Sequence, residues 1–111
     1  MTATPEEILD RFTQSQPLFT ALGDERRQAI IIVLLRAGAA RSVGEIAAQL
    51  QLSQPAVSHH LKILRDARLL TVERKGTQRR YALNTDEYAE LLAPMRELVS
   101  LITACTPSPH D

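Results

Sequence analysis

From Ser42 to Leu64 the sequence reads SVGEIAAQLQLSQPAVSHHLKIL, a stretch with two helix-start signals and a tight turn between them. Ser42 and Glu45 have the spacing of a capping box, in which the serine hydroxyl accepts from the backbone N–H of Glu45 and the glutamate reaches back to the N–H of Ser42. Ile46, Ala47 and Leu50 then recur at the spacing of one helical face. Gln51 and Leu52 make the turn. Ser53 caps a second helix, and Pro55 is tolerated there because a first-turn residue has no intrahelical N–H partner to lose. Val57, Leu61 and Leu64 supply the buried stripe of that second helix. The pattern predicts a helix-turn-helix over residues 42–67.

Gln54, Ser58, His59, Lys62 and Arg65 are left to face outward. Gln, Ser and His can hydrogen-bond base edges, so Gln54, Ser58 and His59 are the candidates for reading sequence. Lys62 and Arg65, with Ser53 at the helix start, are candidates for holding phosphates. Taken alone, the same residues also describe a solvated helix face.

The next stretch, LLTVERKGTQRRYAL from Leu69 to Leu83, separates the two readings. Leu70, Val72 and Arg74 alternate with Thr71 and Glu73, Gly76 supplies a residue free to take positive φ, and Arg79, Tyr81 and Leu83 resume the alternation. This predicts a β-hairpin whose tip carries Arg74, Lys75, Arg79 and Arg80, a basic wing that can follow a duplex backbone beside a groove-bound helix. The formal net charge of zero conceals the segregation behind this. Between Gln54 and Arg80 seven cations stand against only Asp66 and Glu73, whereas residues 1–24 and 86–111 are acidic. Local field, rather than the total, decides whether a face attracts a polyanion.

The 111 residues make one domain, with wing residues 69–83 and terminal helices over 4–13 and 85–105 flanking the helix-turn-helix. The fold class expected is mainly α with a small β-hairpin. Thr4, Pro5 and Glu7 form a second capping box, Gln14 to Pro17 is expected to interrupt that helix, and a short segment from Leu18 to Leu22 follows. Asp24 starts a helix to about Ala37 containing AIIIVLL, apolar all round and therefore expected to be buried on most sides. Asn84 or Thr85 is expected to cap the last helix, in which Pro94 should introduce a kink. Ile8, Leu9 and Phe12 at one end, and Leu91, Leu92, Met95, Leu98, Val99 and Ile102 at the other, form apolar faces suited to a two-fold dimer.

Ala29 to Leu35 is the longest apolar run and far too short for a bilayer, and the N-terminus has no secretory pattern. A soluble cytoplasmic protein without membrane partners is expected. The single cysteine excludes an internal disulfide framework and fits a reducing compartment. No enzyme reading survives: the four glycines form no phosphate-cradling loop, and Ser58 and His59, adjacent on a helix, cannot pair as nucleophile and base. His59 and His60 point about 100° apart, too divergent to share one ion comfortably, and no cofactor is expected. Cys105, near His110, is the candidate redox residue, with a disulfide across a dimer axis as its testable form.

The segments PLFTALGDERRQAIIIVLL and GEIAAQLQLSQPAVSHHLKILRDARLL, followed by the basic wing, resemble the ArsR/SmtB family of small bacterial repressors over nearly the whole chain. The resemblance implies a homodimeric winged-helix repressor that binds an inverted repeat and releases it when an inducer binds. It also implies base contacts from Gln54, Ser58 and His59 and phosphate contacts from Arg74, Lys75 and Arg79. The departures concern metal. Where family metal sensors place a cysteine cluster, this sequence has Ser42, Gly44 and Ala47, and none of these can ligate a soft metal. Of the site other members carry on the last helix, Asp86 remains, but Tyr88 replaces the histidine and the downstream half is the apolar stretch Leu98 to Ile102. The sequence thus predicts a DNA-binding repressor with an unidentified effector and no metal. A winged helix used as a protein-binding module is the alternative, and would be expected to show an apolar patch in place of the basic wing.

Overall fold

The computed structural model of the chain describes residues 4–105, apart from the side chains of Leu91 and Cys105. Five helices, α1 (Pro5–Leu22), α2 (Glu25–Ala37), α3 (Val43–Leu50), α4 (Gln54–Asp66) and α5 (Tyr88–Cys105), surround a small sheet of β1 (Arg41–Ser42), β2 (Leu70–Lys75) and β3 (Gln78–Leu83). A 3-10 turn, Thr85–Glu87, leads into α5. The sheet is antiparallel in the order β1-β3-β2, with Arg41 opposite Tyr81 and Val72 opposite Tyr81 on its other side.

The helix starts follow from their capping residues. Thr4 with Glu7 and Ser42 with Glu45 form complete capping boxes, Asp24 accepts from Arg26 and Arg27, and Ser53 accepts from Ala56. Gly38 ends α2 with φ 62, a conformation a side chain would strain. Behind these elements lies one core, in which Ile30, Ile46, Val57, Leu61 and Leu64 are all 0% exposed. It is the meeting point of α2, α3 and α4, closed by Leu18 and Ala21 of α1 and by Leu70 and Tyr81 of the sheet.

Four expectations need correction. First, α1 is continuous through Gln14 to Pro17. Pro17 forfeits one helical hydrogen bond, but Ser15 and Leu18 on either side of it are buried, and α1 packs along α5, with Arg11 and Glu97 ion-paired between them. Tertiary burial outweighs the local break. Second, the AIIIVLL helix is not enclosed within one chain: Ile30, Val33 and Leu34 are buried, but Ile32 is 46% and Leu35 61% exposed. Third, the side chain of Asn84 makes no capping bond. Its amide instead donates to the carbonyl of Arg68 and to Glu87, both at 2.9 Å, securing the corner between wing and α5. Fourth, Arg41 and Ser42 form a third strand beside the hairpin. Two residues are too short to show alternation, and only β3 gives them a ladder to join. Pro94 lies inside the unbroken α5.

Candidate nucleic-acid interface

Helix α4 is amphipathic, and its apolar face is used up by the core. Val57, Leu61 and Leu64 are fully buried, and Gln54, Ser58, His59, Lys62 and Arg65 are all exposed on the other side. The turn before α4 depends on Gln51, which takes φ 56 while Leu52 donates to the carbonyl of Ala47. At the two helix starts the Gln54 amide lies beside Gly44 of α3, its Nε2 3.5 Å from where a Cβ on Gly44 would stand, an ordinary contact distance. The Ser53 hydroxyl accepts from the N–H of Ala56 at 3.2 Å, which fixes the first turn of α4.

The wing extends from the same side. Gly76 (φ 66) and Thr77 close the hairpin, with Lys75 opposite Gln78 and Arg74 opposite Arg79. A shallow polar pocket of about 290 Å³ joins the wing to both helix starts, lined by Gly44 of α3, Gln54 of α4, and Thr77 and Arg79 of the hairpin among others. The outward face of α4 and the wing therefore form one surface.

The cations divide into two groups that the sequence did not separate. Lys62, Arg65, Arg74, Lys75 and Arg79 are exposed and make no ion pair among the described residues. Arg80, expected among the phosphate-holding cations, points elsewhere: it donates to the carbonyl of Ala40 at 2.9 Å and pairs with Glu45 at 3.5 Å. Its task is to tie the wing to the start of α3. The period-two alternation, which puts Arg79 and Arg80 on opposite faces of the strand, was the available signal. Arg68 is likewise engaged, through a bond to Glu87 at 2.9 Å. Glu45 is held below its usual carboxylate range first by hydrogen bonds from Ser42 and then by Arg80 and Arg41, partly offset by desolvation. For Glu87 the hydrogen bond from Asn84 comes first and Arg68 second.

His60, next to the outward His59, is buried at 6% exposure, and its Nδ1 lies 3.3 Å from Nη1 of Arg27 in α2. The sequence turns His60 about 100° away from His59 but does not identify this partner, thirty-three residues away. Tyr88 is half-buried and donates its hydroxyl to the carbonyl of Leu69 at 2.9 Å, so this side chain holds the start of α5 to the start of the wing. Ser42 caps α3, and Ala47 lies in the core. Among the described residues no group of three or more His, Cys, Asp or Glu could hold a metal ion. Cys105 closes the backbone of α5, but its side chain and His110 lie outside the described residues, as does the side chain of Leu91.

Of the apolar terminal faces, Leu9 (64%), Phe12 (45%), Leu92 (38%), Val99 (57%) and Ile102 (41%) are exposed, and Ile8 and Met95 are half-buried. Leu98, expected among the interface residues, is 5% exposed within its own chain and has almost no surface left to offer a partner. Its burial on the inner side of α5 leaves Val99 and Ile102 outward. No described helix is long and apolar enough to cross a membrane.

Comparisons with known proteins agree with this arrangement. Residues 24–72 match the model for "Bacterial regulatory protein, arsR family". The chain is 38% identical over 93 residues to the arsenical resistance operon repressor of Bacillus subtilis, covering 84% of this chain and 85% of that one. Among solved structures, reduced HlyU from Vibrio cholerae superposes with a TM-score of 0.66 at 31% identity, covering 83% of this chain and 96% of that one. The homodimeric winged helix-turn-helix DNA-binding domain of a possible ArsR-family regulator from Mycobacterium bovis superposes with a TM-score of 0.65 at 24% identity, covering 90% and 91%.

Proposed function

The chain belongs to the arsR family of bacterial regulatory proteins, and on that premise we propose that it acts as a dimer, reads an inverted-repeat operator with α4, and lets go when an effector binds. It is a transcriptional repressor with a winged helix-turn-helix DNA-binding fold, in a family whose members are regulators and not enzymes. One observation carries the finer reading. Five cations without an ion pair among the described residues, Lys62 and Arg65 on α4 and Arg74, Lys75 and Arg79 on the wing, are exposed together with Gln54, Ser58 and His59. Phosphate contacts from Lys62, Arg65, Arg74, Lys75 and Arg79 would orient the helix, and Gln54, Ser58 and His59 would distinguish bases. Ser53 adds a hydroxyl at the backbone-facing start of α4. A protein-binding winged helix would be expected to expose apolar side chains on the wing; this one exposes Arg74, Lys75 and Arg79.

The dimer is supported by shape and by exposed apolar surface. The radius of gyration is 17.3 Å, whereas a compact domain of this length is expected near about 13 Å. The excess accompanies a long α1–α5 pair on which the apolar side chains Leu9, Phe12, Leu92, Val99 and Ile102 are 38–64% exposed. A two-fold dimer through these helices covers them and sets two copies of α4 side by side, as a palindromic site requires. Such a protein works in the cytoplasm, where its DNA is. The effector is read away from the familiar metal positions, because Ser42, Ala47 and Tyr88 are committed to a helix cap, the core and the Leu69 carbonyl.

Enrichment of a random duplex library on the purified protein at about 0.15 M salt, followed by sequencing, tests this reading. An inverted repeat with half-sites about one helical turn apart is the expected result. No enriched sequence would overturn the operator reading.

A further inference from the structure

Helix α1 ends without a basic residue in its last turn, and the final carbonyls of any helix lack intrahelical donors. Here the first turns of α2 supply them. Arg27 donates from Nε to the carbonyl of Ala21 at 2.6 Å and from Nη2 to that of Thr20 at 2.9 Å, and Gln28 donates to that of Leu22 at 2.7 Å. A guanidinium at this end also opposes the negative pole of the helix dipole.

The third nitrogen of Arg27 does something else. Nη1 lies 3.3 Å from Nδ1 of His60 in α4. Arginine has only donors, so Nδ1 must accept and the imidazole proton must sit on Nε2. The His60 ring in turn meets His59 edge-on, with centroids 5.5 Å apart and planes inclined by 60°. His59 is exposed on the outward face of α4. A continuous chain of contacts therefore runs from the carbonyl end of α1 through one guanidinium and one buried imidazole to a base-facing ring.

We propose that Arg27 is a positioning residue for base readout: it fixes the rotation of α4 against the end of α1 and, through His60, holds the His59 ring in its reading orientation. The proposal rests on the reading of α4 as the base-contacting helix. Arg27 touches no DNA in this account. Its planar fork is what allows one side chain to hold two carbonyls and a ring nitrogen at once, which lysine, a single point donor group, cannot reproduce.

The test titrates the intact protein with its enriched site and with a random duplex of equal length across a salt series. Arg27→Gln leaves every DNA-facing cation in place and is expected to reduce the ratio of specific to random affinity about tenfold, with the random-duplex affinity and the salt slope unchanged. Arg27→Lys should restore only part of the ratio. His60→Asn keeps an acceptor near the position of Nδ1 and should retain most of it, and His60→Leu should lose it. In a His59→Ala background Arg27→Gln should add a smaller further loss, the part that acts through the rotation of α4 on Gln54 and Ser58. An unchanged ratio in Arg27→Gln, or equal losses on both duplexes, overturns the proposal. Should Arg27→Gln fail to fold, equal ratios for His60→Asn and His60→Leu overturn it. A wild-type protein with no preference between the duplexes removes the operator reading itself, and this proposal with it.

Discussion

Arg74 and Arg79 stand directly opposite one another across the two strands of the wing. Like charges in direct cross-strand register destabilise a hairpin by up to about 1 kcal/mol, and neither arginine is ion-paired among the described residues. The cost is explained if a polyanion is the missing partner. Arg79→Ala is therefore expected to separate stability from function. The free protein should melt at the same temperature or slightly higher, while affinity falls on specific and random DNA alike and the salt slope drops by about one. A loss confined to the specific site would show that Arg79 reads bases.

Ser58 and His59 should behave in the opposite way. Each is exposed on the outward face of α4, away from the buried stripe. Alanine at either position is expected to cost about 1–3 kcal/mol of discrimination at the matching operator position and little affinity for random DNA. Competition binding against single-base operator variants measures this. Equal losses on every duplex would sink the base-reading assignment.

Val99 is 57% exposed on α5, and its inner neighbour Leu98 fills the contact with the rest of the chain. Val99→Asp should therefore leave the fold intact and place an unpaired charge on the face proposed to form the dimer. Burying such a charge costs several kcal/mol, so the dimer should dissociate at least about a hundredfold more readily, as read by sedimentation equilibrium, with helical circular dichroism unchanged. A persistent dimer would locate the interface elsewhere, and the exposed Ile32 and Leu35 of α2 would be the first place to look.

Burial, above all, pushes the His60 imidazole below its ordinary value of 6.5. Arg27 and Arg26 of α2 and the adjacent His59 act in the same direction, and Asp24 at the cap of α2 opposes them. Above that lowered value His60 is neutral in the fold, as its acceptor role toward Arg27 requires. Between the lowered folded value and 6.5 the unfolded chain binds more protons, so stability rises with pH through that window and is fully present above it. Asp24 is itself lowered, chiefly by the N–H of Arg26, and its contribution is lost only below its ordinary 3.8. Melting temperature should fall as the pH is lowered from about 7.5 to about 5.5, and His60→Asn should flatten that decline. A decline of the same steepness in the variant would assign it to another group.

The helix-turn-helix was legible because its signals are local. Ser42 with Glu45, Ser53 before Pro55, and the Val57, Leu61 and Leu64 stripe each act within one or two helical turns, and each is found as the spacing predicts. The wing was legible for the same reason, since alternation and a positive-φ glycine specify a hairpin from its own residues. What the sequence by itself determined was therefore where helices begin, which faces are apolar, and which residues of α4 must look outward once that stripe is buried. Only the tertiary structure decided the rest. It carried α1 through Pro17 because burial of Ser15 and Leu18 outweighs one missing hydrogen bond, and it joined Arg41 and Ser42 to a strand forty residues away. It withdrew Arg80 from the cations expected to hold phosphates by giving it Glu45 and the Ala40 carbonyl, and it brought Arg27 to His60. Periodicity and capping describe how a residue meets its neighbours in the chain; which of two similar arginines is free and which is engaged depends on partners that only folding brings within a few ångströms.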